Sequence, residues 1–296
     1  MATRNIIRPA HVVEIETPKG VLLDGLWFGP QKARTVIILV HGLGGALWRR
    51  IRLVESLVSK DTAVLVFNNR GHDRISRIVR TGEKQIGKTS WAGGASEVFT
   101  ECIDDIEGAV TLARCNGAKI IFLAGHSTGS QKIVYYAAKK LSPLVKGLVL
   151  MVPLSDYSVA LRDDEQGRLA RATKIARALV RAGKPHELLP QSVWPAIDDA
   201  QRFLSLYTPD GLEEMFTYVQ PKKTSRLFRS VRLPMLAIFA GADEFADRSA
   251  QEIADWFKSN NRSRRFQSFI VPGVGHGFRG GEAVVAKAVH EFILAS

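Results

Sequence analysis

The sequence predicts an α/β fold: a mostly parallel, eight-stranded sheet flanked by helices, with a helical cap inserted after the sixth strand. Three observations point there. Short β-branched and apolar runs alternate with longer segments of helical period along the 296 residues. A glycine-flanked serine stands at the junction of one such run with one such helix. Some 70 residues after Val152 show helical patterns and prolines but no strand.

The strands are expected in order. Val12–Glu16 and Val21–Trp27 form an opening antiparallel pair, followed by Thr35–Val40, Ala63–Phe67, Ile120–Ala124, Gly147–Val152, Met235–Phe239 and Gln267–Val271. Most lack polar alternation, as expected for strands covered on both faces. Phe99, Ile103, Ile106, Val110 and Ala113 recur at spacings of four and three, which predicts a one-sided helix with Ser96 as its N-cap. Further helices are expected over Leu53–Ser59, Gln131–Lys140, Ala250–Ser259 and Ala283–Leu294. Residues 1–156 and 231–296 read as the core, and 157–230 as the cap. Within the cap, Arg168, Arg171, Lys174, Arg177 and Arg181 fall on one helical face and Leu169, Ala172, Ile175, Leu179 and Val180 largely between them. That face is either a solvated exterior or a steering surface for anions.

Composition narrows the classes. The formal charge is +12, but Tyr157–Arg232 holds 13 Lys/Arg against 9 Asp/Glu, so the excess is spread along the chain. Diffuse charge argues against nucleic acid as partner. No apolar run approaches the roughly 20 residues of a membrane-spanning helix. Met1–Thr17 mixes charged residues into its apolar ones, unlike a secretory signal, so the expected location is cytoplasmic. Cys102 and Cys115 lie about 220° apart on one predicted helix and are not expected to pair. Nothing in the sequence indicates oligomeric state.

Gly125-His126-Ser127-Thr128-Gly129 lies between the run ending at Ala124 and the helix that follows. The chain must turn from strand to helix within a few residues, so small flanking residues are needed and the serine hydroxyl is left exposed at a helix N-terminus. Ser127 is therefore the expected nucleophile. His41-Gly42-Leu43-Gly44-Gly45, after the strand Thr35–Val40, can bend so that its amides are free. The N–H groups of Leu43 and Thr128 are expected to form an oxyanion hole. Asp243 and His276 follow the strands Met235–Phe239 and Gln267–Val271, in the order nucleophile, acid, base. Glu244 and Asp247 are neighbouring acids, and Asp156 is an alternative acid position. Among the other histidines, His41, His72 and His126 lie in motif loops and are expected to shape the pocket, while His11, His186 and His290 lie elsewhere. Trp91, Phe203, Tyr207, Phe216 and Tyr218 either line an acyl pocket or form cap core.

Together the HGLGG loop, GHSTG, Asp243 and His276 resemble the α/β-hydrolase superfamily of serine hydrolases, its carboxylesterases in particular, over essentially the whole chain. Trp91-Ala-Gly-Gly-Ala-Ser-Glu97, Asp104-Asp105-Ile106, Gly125–Gln131 and Arg202-Phe-Leu-Ser-Leu206 are similar to a branch that includes a fungal siderophore-ester hydrolase. The loop Phe67-Asn-Asn-Arg-Gly-His72 departs from the superfamily's aspartate-containing, serine-ended version and is expected only to line the site. The resemblance implies hydrolysis of a small-molecule carboxylic ester through an acyl-enzyme, with no metal or organic cofactor. The basic surface adds carboxylate-bearing esters as a candidate substrate class. C–C bond hydrolysis, lactone opening and acyl transfer are alternatives on the same triad, and a non-catalytic ligand receptor is the remote one.

Overall fold

The computed structural model describes residues 7–81 and 88–296. Among them the sheet has ten strands: β1 (His11–Glu16), β2 (Val21–Phe28), β3 (Thr35–Val40), β4 (Thr62–Phe67), β5 (Ser76–Arg80), β6 (Lys88–Ala92), β7 (Ile120–His126), β8 (Val145–Met151), β9 (Met235–Ala240) and β10 (Phe266–Val271). The order is β10-β9-β8-β7-β3-β4-β2-β5-β6, with β1 paired to β2. From β4 through β3, β7, β8 and β9 to β10 every pairing is parallel.

Two strands exceed the eight expected. The antiparallel hairpin β5–β6 reads SRIVR and KTSWA, and only Ile78 in it is buried, so no apolar run announced it. The strand expected sixth is accordingly eighth in chain order. Trp91 projects from the hairpin at 72% exposure, under the Arg77 guanidinium, and is not pocket lining.

The central strands are apolar throughout because they are covered on both faces. Val36, Ile38 and Val40 of β3, with Leu65 of β4 and Leu123 of β7, enter one core. Ile37 and Leu39, with Val64 and Phe122, enter the other. Fully burying each such side chain contributes roughly 1.5–3 kcal/mol. On the first face lie α2 (Cys102–Cys115), α3 (Thr128–Lys139) and α8 (Ala250–Asn260), through Ile106, Ile133 and Phe257. On the second lie α1 (Ile51–Leu57) and α9 (Glu282–Leu294), through Leu53 and Val289. The approach to α2 is a 3₁₀ turn at Phe99–Glu101, so Ser96 is not its N-cap; the Ser96 amide instead closes a turn onto the Gly93 carbonyl. Cys102 and Cys115 are both free thiols.

Between β8 and β9 the chain forms α4 (Asp156–Arg162), α5 (Arg168–Arg181), α6 (Ala200–Tyr207) and α7 (Arg226–Ser230). Leu169, Ala172 and Ala176 of α5 pack with Phe203 of α6 in a small core of their own, whereas Phe216, Tyr218 and Phe228 join the main core. Of the five aromatics considered for an acyl pocket, Phe203, Phe216 and Tyr218 are therefore core, and Tyr207 packs on Phe203 and Trp194. The basic residues Arg171, Lys174, Arg177 and Arg181 are solvent-exposed. No helix of the described residues is long and apolar enough to cross a membrane.

Candidate active site

Ser127 is the residue at which β7 becomes α3. Its backbone is held at φ 55°, ψ −127°, a conformation sparsely populated by side-chain-bearing residues. The turn closes only because its flanks are glycine: a Cβ on Gly125 would overlap the backbone of Gly129 and Ser130, and one on Gly129 the Val40 carbonyl. The Ser127 amide donates to the Met151 carbonyl at 2.9 Å, tying the turn to β8. Gly42 presses on the same turn, since a Cβ there would stand 2.7 Å from the His126 carbonyl oxygen and 2.8 Å from the Ser127 Cβ. Leu43 and Ser127 thus line one cleft of about 420 Å³, together with His276, Phe245, Leu154, Asp156, Val159 and Arg50. Thr128, first residue of α3, has its amide at the helix end, where no carbonyl one turn back serves it.

His276 is fixed at every polar atom but one. Its Nδ1 lies 2.9 and 3.0 Å from the two carboxylate oxygens of Asp243. Its backbone N–H donates to Glu244 at 2.9 Å. Its carbonyl accepts from His126 Nε2 at 2.9 Å. The rings of Phe245 and His126 stand edge-on to it at 4.9 and 5.0 Å. Among the described residues, Nε2 is its one polar atom without a hydrogen-bond partner, and the residue lines the cleft.

The rival acids have other partners. Glu244 holds the His276 backbone, and accepting that amide lowers its pKa. Asp247 engages Arg248 and Ser158. Asp156 lines the cleft but meets the Gln131 side-chain amide at 3.3 Å; burial, then the charges of Glu213 and Glu214, raise its pKa to about 7. The remaining histidines are also accounted for: His186 pairs with Asp199, His290 with the Leu57 carbonyl and His72 with the Asn69 carbonyl, while His11 is exposed.

The loop at residues 67–72, expected merely to line the site, is instead a buttress behind it. The Asn69 amide donates to His41 Nε2 at 3.2 Å, and His41 Nδ1 donates to the Gly42 carbonyl at 2.9 Å, which sets the tautomer at the base of the glycine loop. Burial, then the Lys132 charge, bring the His41 pKa down to about 3, so it is a neutral bridge. Asn68 accepts the Leu47 amide at 2.8 Å. Arg70 enters α2, meeting Asp105 at 2.7 Å and Asp104 at 2.5 Å.

Behind this loop runs a buried ionic chain that sequence reading did not assemble. Lys132, on the inner face of α3, reaches Asn69 at 3.2 Å and Glu97 at 2.5 Å. Glu97 pairs at 3.0 Å with Arg202, whose guanidinium also engages Glu213 and the Gly94 carbonyl. Burial favours the neutral acid, yet Lys132 and Arg202 bring the Glu97 pKa to about 2. Asp199 caps α6 by accepting the Arg202 amide at 2.8 Å, which sets Arg202 at the first turn. Glu97, Asp104, Asp105 and Arg202 all lie in the short motifs noted above. Their clustering, not any local period, was the missing signal.

Solved structures share this architecture. A siderophore hydrolase from Aspergillus fumigatus matches with a TM-score of 0.68 at 15% identity, over 97% of this chain and 98% of that one. The ferulic-acid complex of Est1E from Butyrivibrio proteoclasticus matches at 0.61 and 20% identity, over 96% and 98%. The carboxylesterase CesB from Bacillus subtilis matches at 0.58 and 17%, over 98% and 93%. At these identities the likeness shows the fold, which is the α/β-hydrolase fold. No curated protein matches the chain. Residues 87–295, from the β6 strand to the end of α9, match the model described as "Protein of unknown function (DUF1749)", and the chain belongs to that family.

Proposed function

We propose that the chain hydrolyses carboxylic esters, with Ser127 as nucleophile, His276 as base and Asp243 as its orienting acid. The observation that carries this reading is the Asp243–His276 contact at 2.9 Å, in a cleft that His276 shares with Ser127 and the Gly42–Gly45 loop. His276 Nε2 takes the Ser127 proton as the hydroxyl oxygen attacks the ester carbonyl. The amides of Leu43 and Thr128 receive the developing oxyanion, each worth roughly 10²–10³ in rate. The tetrahedral adduct collapses, the alcohol leaves with the proton from His276, and the acyl group stays on Ser127. Water, deprotonated by His276, then releases the carboxylic acid and restores the serine. Within this reading residues 157–230 act as the cap, since Val159 of α4 closes one side of the cleft.

Replacing Ser127 by Ala tests the assignment. Turnover of p-nitrophenyl acetate and labelling by a fluorophosphonate probe are both expected to disappear. Retention of either by the folded variant would overturn it.

A further inference from the structure

Two cations of the cleft, exposed Arg49 and half-buried Arg50, form no ion pair among the described residues, and Arg50 is the one drawn out of solvent. Arg50 lines the cleft beside Gly42–Gly45, Ser127 and His276. Its Nε is buried without a hydrogen-bond partner, and among the described residues no carboxylate forms an ion pair with its guanidinium. Arg50 is half-buried, and the two fully buried arginines contrast with it: Arg70 is held by Glu101, Asp104 and Asp105, and Arg202 by Glu97 and Glu213. Burial, then the charge of Arg49, pull the Arg50 pKa to about 10, so the group is still cationic at neutral pH, and the desolvation of its buried Nε is not offset by a partner among the described residues.

The backbone adds a second cost. Arg50 stands just before α1 in the left-handed conformation, φ 60° and ψ 29°, which glycine or asparagine adopts more readily. Neither substitute would bring a guanidinium to the cleft. The other ionisable groups facing it are Arg49, of the same sign, Asp156 on α4, His126 and His276. His126 is kept neutral by burial first and by the Arg50 charge next, which places the Arg50 charge close to the nucleophile turn. Asp156 is engaged by Gln131 and does not reach Arg50.

We infer that Arg50 is a carboxylate-binding subsite, and that the substrates are esters carrying a free carboxylate on the acyl side. The planar guanidinium accepts a carboxylate through paired N–H donors, supplying the charge and hydrogen bonds Arg50 otherwise lacks. This rests on the ester-hydrolase reading: the same molecule would present its ester carbonyl to Ser127.

The test pairs neutral methyl esters with their half-ester isosteres, such as methyl hexanoate against monomethyl adipate, over chains from succinate to suberate. The wild type is expected to prefer the half-ester at its best length by at least tenfold in kcat/KM. In Arg50→Gln that preference should fall by roughly 10- to 100-fold, the range of a lost charged hydrogen bond, and Arg50→Lys should restore part of it. Equal losses on both ester types, or an unchanged ratio, would overturn the subsite, and if Arg50→Gln does not fold, Arg50→Lys and the wild-type ratio decide. Calorimetry of monomethyl adipate with Ser127→Ala separates the two readings. Binding there that disappears in Ser127→Ala/Arg50→Gln upholds the subsite even if the wild type turns over no ester; absence of both preference and binding ends it.

Discussion

His126 donates its Nε2 hydrogen to the carbonyl oxygen of His276 across 2.9 Å, joining two residues 150 positions apart. The bond has a fixed direction because a carbonyl only accepts, so His126 carries its proton on Nε2. Burial keeps the ring neutral, so a carbonyl near the candidate base is held without adding a charge beside it. His126→Phe removes the donor and leaves that carbonyl to drift. A misplacement of about 1 Å at such a group costs on the order of 10² in rate. kcat should therefore fall about 10- to 100-fold with KM changed less than about threefold, and His126→Gln should recover part of the loss. Steady-state kinetics on p-nitrophenyl acetate reads both.

Asp243 and Glu244 are adjacent in sequence but serve different atoms of His276, the ring nitrogen and the backbone amide. Asp243→Asn leaves the shape of the side chain but puts an NH2 donor in place of one carboxylate oxygen. With Oδ1 kept by the Phe245 amide, that donor faces Nδ1 and favours the wrong tautomer, and the charge that stabilises the protonated ring is gone. A loss of roughly 10⁴ in kcat is expected, as for the corresponding change in other triads. Glu244→Gln keeps an acceptor for the amide and should cost less than about tenfold. A larger effect at Glu244 than at Asp243 would reverse the assignment of the acid.

The ionic chain behind the site should behave as a unit. Removing Glu97 as Glu97→Gln leaves Lys132 and Arg202 buried with one counter-charge fewer between them, and breaking a buried pair costs about 3–5 kcal/mol. Lys132→Met should cost a similar amount. The double variant should be less unstable than the sum of the two by at least about 1 kcal/mol, because each single change strands the other's charge. Urea denaturation of the four proteins closes the cycle, and additive losses would show the contacts to be independent.

What could be read in advance followed local chemistry. The strand, glycine turn and helix around Ser127 are contiguous, and Asp243 and His276 stand just beyond two apolar runs, so each station was visible without knowing the packing. The hairpin β5–β6 was not, because its short polar strands depend on β2 for their pairing. Nor was the buttress: Lys132 meets Asn69 from 63 positions away and Arg202 meets the Gly94 carbonyl from 108. A lysine on a helix next to the Ser127 turn reads as solvated until the fold buries it. The departure of the 67–72 loop from the superfamily pattern was seen, but its meaning depended on His41, Asp104 and Asp105, which the fold alone brings to it.

His41 offers a test by pH rather than by rate. Its pKa falls from 6.5 to about 3 on folding, chiefly through burial, so between those values the unfolded chain holds a proton on this ring that the folded protein does not. Stability from this group is complete above pH 6.5 and declines as pH drops, by about 1.4 kcal/mol per unit. Asp156 and Glu214, both raised to about 7 by burial first, work in the opposite sense: the folded state holds more protons there, so their contribution diminishes as pH rises toward 7. The raw pH profile therefore mixes the two. The difference between wild type and His41→Gln isolates the histidine, since the acids are common to both proteins. The advantage of the wild type should be largest at pH 7–8 and should shrink by about 2–3 kcal/mol by pH 4.5, measured by denaturant unfolding at each pH. An advantage that stays constant over that range would mean that His41 is not the neutral, buried bridge between Asn69 and the glycine loop.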